Sequence, residues 1–597
     1  MRPSLMRRST TLGQRKKYSP LRKAQRSPRT PVLPLAHRLA KDDGRRRGAF
    51  DTRADIVSPA LCDDILGYMA PSLNQYKNCD IIDVNPGAGL WSSKLHDFLN
   101  PRRHVLLEPD DFYKPFLQPL LDAPGSTYIN GPANDNVLAS LANTFLQGLL
   151  PDQHPLPQGD ARLSEPNTSL LLLLNLSRVK ARNPRLAYFT TREVLNDLSC
   201  LSWAHRGLGR YGQVRMLVWI GEYFKERILP RDLNQVDSHG LSFHRKTHTH
   251  SIAEHHSAKV ARDDTTLELA SAVRAADRMR SAGLVIPSHR QSRLHQMALS
   301  LLKDRDAQDI QAELRTKIIP EQSPVEELEE LQALFKSKAC SKPNLTPWRE
   351  RMDYLQSCTE KALKDRRRSS LKLVPTWVIY DEMRRLEMIV VDEVYPAQER
   401  LAAKERWEKL KLETYKLVHE ETNKGTRQTL YNIIDQRRAF YQNPSLLQWD
   451  NRSFEPLTTV PHEFYPQQSL CLLDVTPNPP LREHPLTEQN YWQRFATKLF
   501  ERCAHPVGKT LDYMRHGSAE VIMPEAGRIH DPRRGGSLDV EDVRVRNLTP
   551  EMIDELVDAW KNWTFRPEDL EKAFTESRAD FSDHLDADNP SIRSFYA

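Results

Sequence analysis

Four short apolar runs constrain this chain more than any other feature: Ile81-Ile82-Asp83-Val84, Val105-Leu106-Leu107, residues 169–176 and residues 214–220. Each has the length of a strand, and none alternates polar with apolar residues. Runs of this kind suit parallel strands covered on both faces. The stretches between them read as helices, for instance 90–99 and 136–149. Before them, Ser58-Pro59 is a helix start, with a capping hydroxyl and a proline at the first helical position, leading into 60–69. Residues 45–244 are therefore predicted to be an α/β domain with a mostly parallel sheet.

After it the character changes. Residues 245–440 read as a charged helical insertion. Ser323-Pro324 opens one helix running to Lys338, and residues 397–424 form another with Gly425 as its C-cap. In that second helix Ala403, Trp407, Leu410, Tyr415 and Leu417 line up as an apolar packing stripe. His244, His248, His250, His255 and His256 fall in a polar stretch read as a surface loop. No carboxylate or cysteine completes a ligand set there, so no metal site is assigned. Residues 441–484, with a strand at 469–475, return to the α/β domain. Helices at 489–502, 506–515 and 550–563 make a small helical C-terminal domain, 485–576, and 577–597 is a polar, mobile tail.

Charge is distributed unevenly. The 597 residues carry 86 Lys+Arg against 79 Asp+Glu, a net +7, yet residues 1–41 hold twelve of the cations and no acid. The rest of the chain is at about −5, so its body is not basic. Residues 1–44 form a basic arm rich in Arg, Ser, Thr and Pro, the composition of a mitochondrial presequence, and the expected location is the mitochondrial matrix. A nucleic-acid-binding arm or a nuclear signal around Arg15-Lys16-Lys17 fits the same composition. No apolar stretch approaches the ~20 residues of a membrane span. Seven scattered cysteines, none in a CxxC pair, suggest neither a disulfide framework nor a zinc site.

Asp83-Val84-Asn85-Pro86-Gly87-Ala88-Gly89 joins the first strand to a helix, and Glu108 ends the second strand 25 residues after Asp83. Glycines in such a turn let the backbone approach a ligand, the helix N-terminus offers amide donors, and the acid stands where ribose hydroxyls are bound. This order predicts a nucleoside-type pocket, or its relic, with Asp83, Asn85, Gly87, Gly89 and Glu108 as cofactor contacts.

Together with Asn175-Leu176-Ser177-Arg178 at the end of the fourth strand, these motifs resemble the ribosomal RNA adenine N6-dimethyltransferase superfamily. Arg47-Gly48-Ala49-Phe50, the Phe454-Glu455-Pro456 segment and Leu548-Thr549-Pro550-Glu551 agree with it. The resemblance covers roughly 45–225 and 445–575. It implies a Rossmann-like S-adenosylmethionine-dependent methyltransferase fold, with 245–440 inserted. Asn175 is then the residue that would hold the target amine in an active enzyme. The family's fourth-strand motif is Asn-Leu-Pro followed by Tyr or Phe, whereas Ser177 and Arg178 stand here. Losing the aromatic costs ~1–3 kcal/mol of base stacking. The first glycine of the donor loop is Asn85, and Ile129-Asn130-Gly131-Pro132 lacks the acid expected to meet the donor's adenine. Donor binding is expected to be weak or lost.

Such wear resembles the mitochondrial transcription factor B group, especially its fungal-type members, and residues 210–219 are similar to theirs. That resemblance implies an initiation factor for the single-subunit mitochondrial RNA polymerase, with promoter DNA, chiefly an unpaired strand, as the other partner. Arg178, Arg206, Arg210, Tyr211 and Arg215 are the expected nucleic-acid contacts, interleaving cations with an aromatic. The alternatives are an active mitochondrial rRNA dimethyltransferase and a scaffold whose 245–440 helices bind other partners.

Overall fold

The computed structural model describes residues 33–42, 53–177, 184–255, 265–316, 376–420, 424–479, 486–575, 591 and 594–595. Its strands are β1 (Asp55–Ile56), β2 (Asp80–Val84), β3 (Arg103–Leu107), β4 (Tyr128–Asn130), β5 (Pro166–Asn175), β6 (Gln213–Gly221), β7 (Thr247–His255), β8 (Leu457–Thr459), β9 (Phe464–Tyr465) and β10 (Leu470–Pro477). Eight form one sheet in the order β4-β3-β2-β5-β6-β10-β7-β8, while β1 and β9 pair separately. All neighbours in the large sheet are parallel except at β10, which runs against both β6 and β7. The order reverses between β2 and β5, and a doubly wound sheet opens its ligand crevice at the carboxyl ends of those strands.

The unbroken apolar runs arise because both faces of the sheet are covered. Ile82, Val84, Leu170, Leu172, Leu174, Met216 and Val218 pack on one side with Leu138, Leu141, Leu195 and Leu198 from helices Val137–Leu146 and Pro184–Trp203. Ile81, Leu171, Leu173, Leu217 and Trp219 face the other side, against helices Pro59–Leu73 and Leu90–Leu99. Ser58 caps the first of these through its hydroxyl, which accepts from the Leu61 amide at 3.2 Å. In the C-terminal domain, helices Leu486–Phe500, Val507–Met514 and Pro550–Asn562 enclose Phe495, Leu511, Leu556 and Trp560.

The structure redraws several boundaries. His244 lies in a helix and His256 outside the described residues, whereas His248, His250 and His255 lie in the sheet strand that follows, β7, with His250 opposite Asp474. Thr247, Thr249, Ser251 and Ala253 are buried along it; small polar and β-branched residues supply the buried positions, so an apolarity reading passes over it. The insertion therefore begins after β7. Helix Ala397–His419 ends at Glu420, and Gly425 lies inside the next helix, Lys424–Tyr441, rather than capping the first. Its buried seam is Ala403, Trp407, Leu410, Thr414 and Val418, leaving Tyr415 59% exposed. Pro34–Asp42 of the N-terminal arm is a helix whose Leu39 is buried beside Leu106, Tyr113 and Phe116. From the tail, Phe595 is buried and stacks on Phe145 at 5.4 Å. The helix expected at 323–338 lies outside the described residues.

Candidate functional site

The turn after β2 carries three left-handed residues, Asn85, Gly87 and Gly89, with φ of +61°, +62° and +74°. This conformation aims its amides at the crevice above the sheet. The chain itself accepts them. The Glu108 carboxylate takes the Gly87 amide at 2.9 Å and the Asp110 amide at 3.0 Å, and Arg53 forms an ion pair with it. Asp55 takes the Ala88 amide at 2.9 Å through one oxygen and the Tyr113 hydroxyl at 2.9 Å through the other. A Cβ on Gly87 would lie 2.0 Å from Asp55 Oδ1. Burial raises the Asp55 carboxyl to about 6, opposed by the hydrogen bonds from Ala88 and Tyr113 and by the charge of Arg53. Burial also raises Glu108, with Arg53 holding it back.

Asn175 is engaged in the same way. Its Nδ2 donates to the Ala54 carbonyl at 3.1 Å, and its Oδ1 accepts the Ser177 amide at 3.2 Å and the Ser177 hydroxyl at 2.5 Å. An amide oxygen has two lone pairs, so none remains for a target amine. The Asn85 side chain closes the gap by donating to the Asn175 carbonyl at 3.2 Å. The segment before β1 thus lies across the carboxyl ends of β2 and β5. It is pinned there by Ala54 to Ser177 and by the pairing of β1 with β9.

Asp83 does not face the crevice. Its carboxylate accepts the Ser92 hydroxyl at 2.5 Å and approaches His104 Nε2 at 3.4 Å, so it ties β2 to the following helix and to β3. The structure therefore corrects its assignment as a cofactor contact. Beside Asn85 and Asn175 a crevice of about 320 Å³ remains. Its lining includes Asp135, Glu193 and Asp197 and no Lys or Arg among the described residues. Phosphates would be repelled there.

The expected nucleic-acid set divides. Arg215, on β6, is buried beneath helix Pro59–Leu73, with its Nε and Nη2 donating to Asp474 at 2.8 and 2.6 Å and its Nη1 to the Ser72 carbonyl at 3.0 Å. The Tyr211 ring is buried and stacked on Phe145 at 4.4 Å. Neither can contact a strand, because both side chains point into the core that their own strand and turn build. Arg206 and Arg210 are half-buried beside the turn Gly207–Tyr211, and Arg178 lies outside the described residues. The sequence reading missed Arg53, Asp55 and Tyr113, which fill the crevice. An acid directly before the apolar Ile56-Val57 was the available signal.

Among the described residues no group of three or more His, Cys, Asp or Glu side chains is placed to hold a metal ion, and no helix is long and apolar enough to cross a membrane. Comparison with models of known protein families gives no match, and comparison with curated proteins finds no relative.

Proposed function

We propose that this chain is a mitochondrial transcription initiation factor. In this reading it confers promoter recognition and melting on the single-subunit mitochondrial RNA polymerase, from a Rossmann-like methyltransferase scaffold that no longer transfers methyl groups. The observation that carries it is the filling of the ligand end of the sheet by residues 53–55. Glu108, which would hold ribose hydroxyls, is satisfied by Arg53 and two backbone amides. The Ala88 amide is taken by Asp55, and both lone pairs of the Asn175 amide oxygen are taken by Ser177. To hold S-adenosylmethionine these residues would have to give up the partners they have, which supports a site that no longer uses the donor. The reversed β10 beyond β6 distinguishes the sheet from an all-parallel dinucleotide-binding one, and the acid-free basic N-terminus supports the mitochondrial address.

With Tyr211 and Arg215 in the core, the half-buried Arg206 and Arg210 are what remains of the proposed strand contacts near β6. The test is calorimetric titration with S-adenosylmethionine beside run-off transcription with the cognate polymerase. Absent donor binding and promoter-dependent stimulation are expected. Donor binding together with methylation of a small-subunit rRNA hairpin would overturn the reading in favour of the dimethyltransferase.

A further inference from the structure

One opening bounded by described residues shares no residue with the sheet's ligand end. It is a groove of about 1060 Å³. One wall is built by the helix at 376–391 with helices Ala397–His419 and Lys424–Tyr441, and the other by residues 504–509 and 532–544 of the C-terminal domain. A second opening of about 610 Å³ shares Arg315, Arg385 and Tyr441 with it, so the two form one trough.

Charge in this trough is unbalanced. Ten Lys or Arg line the larger part against five Asp or Glu, and four Arg against one Asp line the smaller. Arg384, Lys411, Arg533 and Arg544 have carboxylates of their own in Glu387, Asp539, Asp531 and Asp435, so the surplus lies with the other cations. Arg315 and Arg385 share one carboxylate, Asp381, at 2.6 and 2.9 Å. Arg274 donates only to the Phe440 carbonyl and the Ser445 hydroxyl, and Arg278 only to the carbonyls of Asp450 and Arg452. Arg438 is 7% exposed, donates from Nη2 to the Gly535 carbonyl, and leaves its buried Nε without a partner. Among the described residues these three arginines have no carboxylate partner within salt-bridge distance. Burial, with the charge of Arg438 next, lowers the neighbouring Arg384 to about 10. Arg274 and Arg278 are half-buried and share the nearby charge of Asp450. Cations gathered partly out of water with so few counter-charges are costly, and an incoming polyanion would relieve that cost.

The trough also offers aromatic faces. Tyr415 is 59% exposed and stacks on His419 at 4.5 Å, and Tyr395 is 37% exposed. Cations for phosphates beside open rings for bases are the two requirements for holding a single strand. A duplex hides its bases from such rings and is too wide to reach a guanidinium as deep as that of Arg438. An acidic peptide would meet the cations but leave the rings unused, and a mononucleotide would fill only part of the trough.

We propose that this trough binds single-stranded nucleic acid, with its arginines on the phosphates and Tyr415 against a base. The inference rests on the proposed function for the presence of an unpaired strand, and it gives that strand a place the β6 segment does not provide. Fluorescence anisotropy of the full chain with labelled oligo-dT and oligo-rU of about 15 nucleotides tests it without polymerase. Both probes are expected to bind, with a log–log salt slope of about −2 or steeper. The exposed pair of charge reversals Lys509→Glu and Arg385→Glu should weaken binding at least about tenfold. Tyr415→Ala should weaken it about fivefold, whereas Lys77→Glu, outside the trough, should leave it unchanged. Equal affinity for duplex of the same length, displacement by polyglutamate as effective as by oligonucleotide, or binding indifferent to the trough variants would overturn it. Strand binding without promoter stimulation would sink the proposed function and leave this site standing. Stimulation without strand binding would do the reverse.

Discussion

The ligand end of the sheet and the trough beside the inserted helices are built from the same materials, arginines, carboxylates and tyrosines, and differ in how completely these are matched. At the sheet, Arg53 meets Glu108, Asp55 meets the Ala88 amide and Tyr113, and Asn175 meets Ser177. Where the fold would offer a ligand its donors and acceptors, most are already in use, although Arg53 Nη1 is buried without a hydrogen-bond partner. In the trough, Arg315 and Arg385 divide a single Asp381, while Arg438 has a carbonyl and an empty Nε. A fold's customary crevice is therefore not the place to look for function when its polar groups are internally satisfied. The residual imbalance of charge is the better guide.

The contrast requires the trough's wall to be held rigidly even though its floor is undercompensated. Asp435, 1% exposed, is the strut. It accepts from Arg544 at 2.8 Å and from Arg546 at 2.7 Å, joining helix Lys424–Tyr441 to the C-terminal domain. Asp435→Ala leaves the buried Arg546 without its anion and Arg544 with Asp542 alone, and should destabilise the protein by ~3–5 kcal/mol in urea unfolding. A near-neutral result would mean that the wall is loose and that its surplus charge is ordinary solvated surface.

At the sheet end the corresponding probe is Gly87→Ala. The residue sits at φ +62°, and its new Cβ would lie 2.0 Å from Asp55 Oδ1. A left-handed alanine costs ~1–2 kcal/mol, and displacing the carboxylate from the Ala88 amide leaves a buried donor unpaired at a further ~1–3 kcal/mol. A loss of about 3 kcal/mol is therefore expected. Neutrality would show that Asp55 does not rest on the turn and that the crevice is open.

What could be read in the sequence follows from range. The parallel strands were legible because each residue of 170–174 is apolar and both faces are covered, a purely local signal. Strand β7 was not, because Ile252 is the only large apolar residue among its buried positions, the others being Thr, Ser, Ala and Glu254, whose place is fixed by pairing with β10, more than 200 residues on. The turn at 85–89 and Glu108 were found as motifs, but what fills them comes from elsewhere: Asn175 is held by Ala54, 121 residues away. Arg215 misled for the same reason. In sequence it stands beside Arg210 and Tyr211 like a strand contact, while its actual partner, Asp474, is 259 residues distant. The trough left no motif, since its charges come from the insertion and the C-terminal domain and read separately as solvated helix faces.

The finest test of the contrast is the pH dependence of Asp55. Burial raises its carboxyl to about 6, against the opposing hydrogen bonds from Ala88 and Tyr113, whereas in the unfolded chain it titrates near 3.9 as an ordinary Asp. An acid raised on folding favours the folded state below its unfolded pKa, and that advantage is lost as pH rises through the folded value. Between about pH 4 and pH 7 the native protein should thus lose stability of order 2 kcal/mol from this residue. Glu108, raised in the same direction, adds its own part in native protein and variant alike. Asp55→Asn keeps an acceptor for the Ala88 amide and has nothing to titrate. Its unfolding free energy, measured in urea across this range, should therefore gain on the native protein by that amount as pH rises. Parallel curves would place the Asp55 carboxyl in water. The 53–55 segment would then not be sealing the turn, and the sheet's ligand end would be as open to an incoming group as the trough.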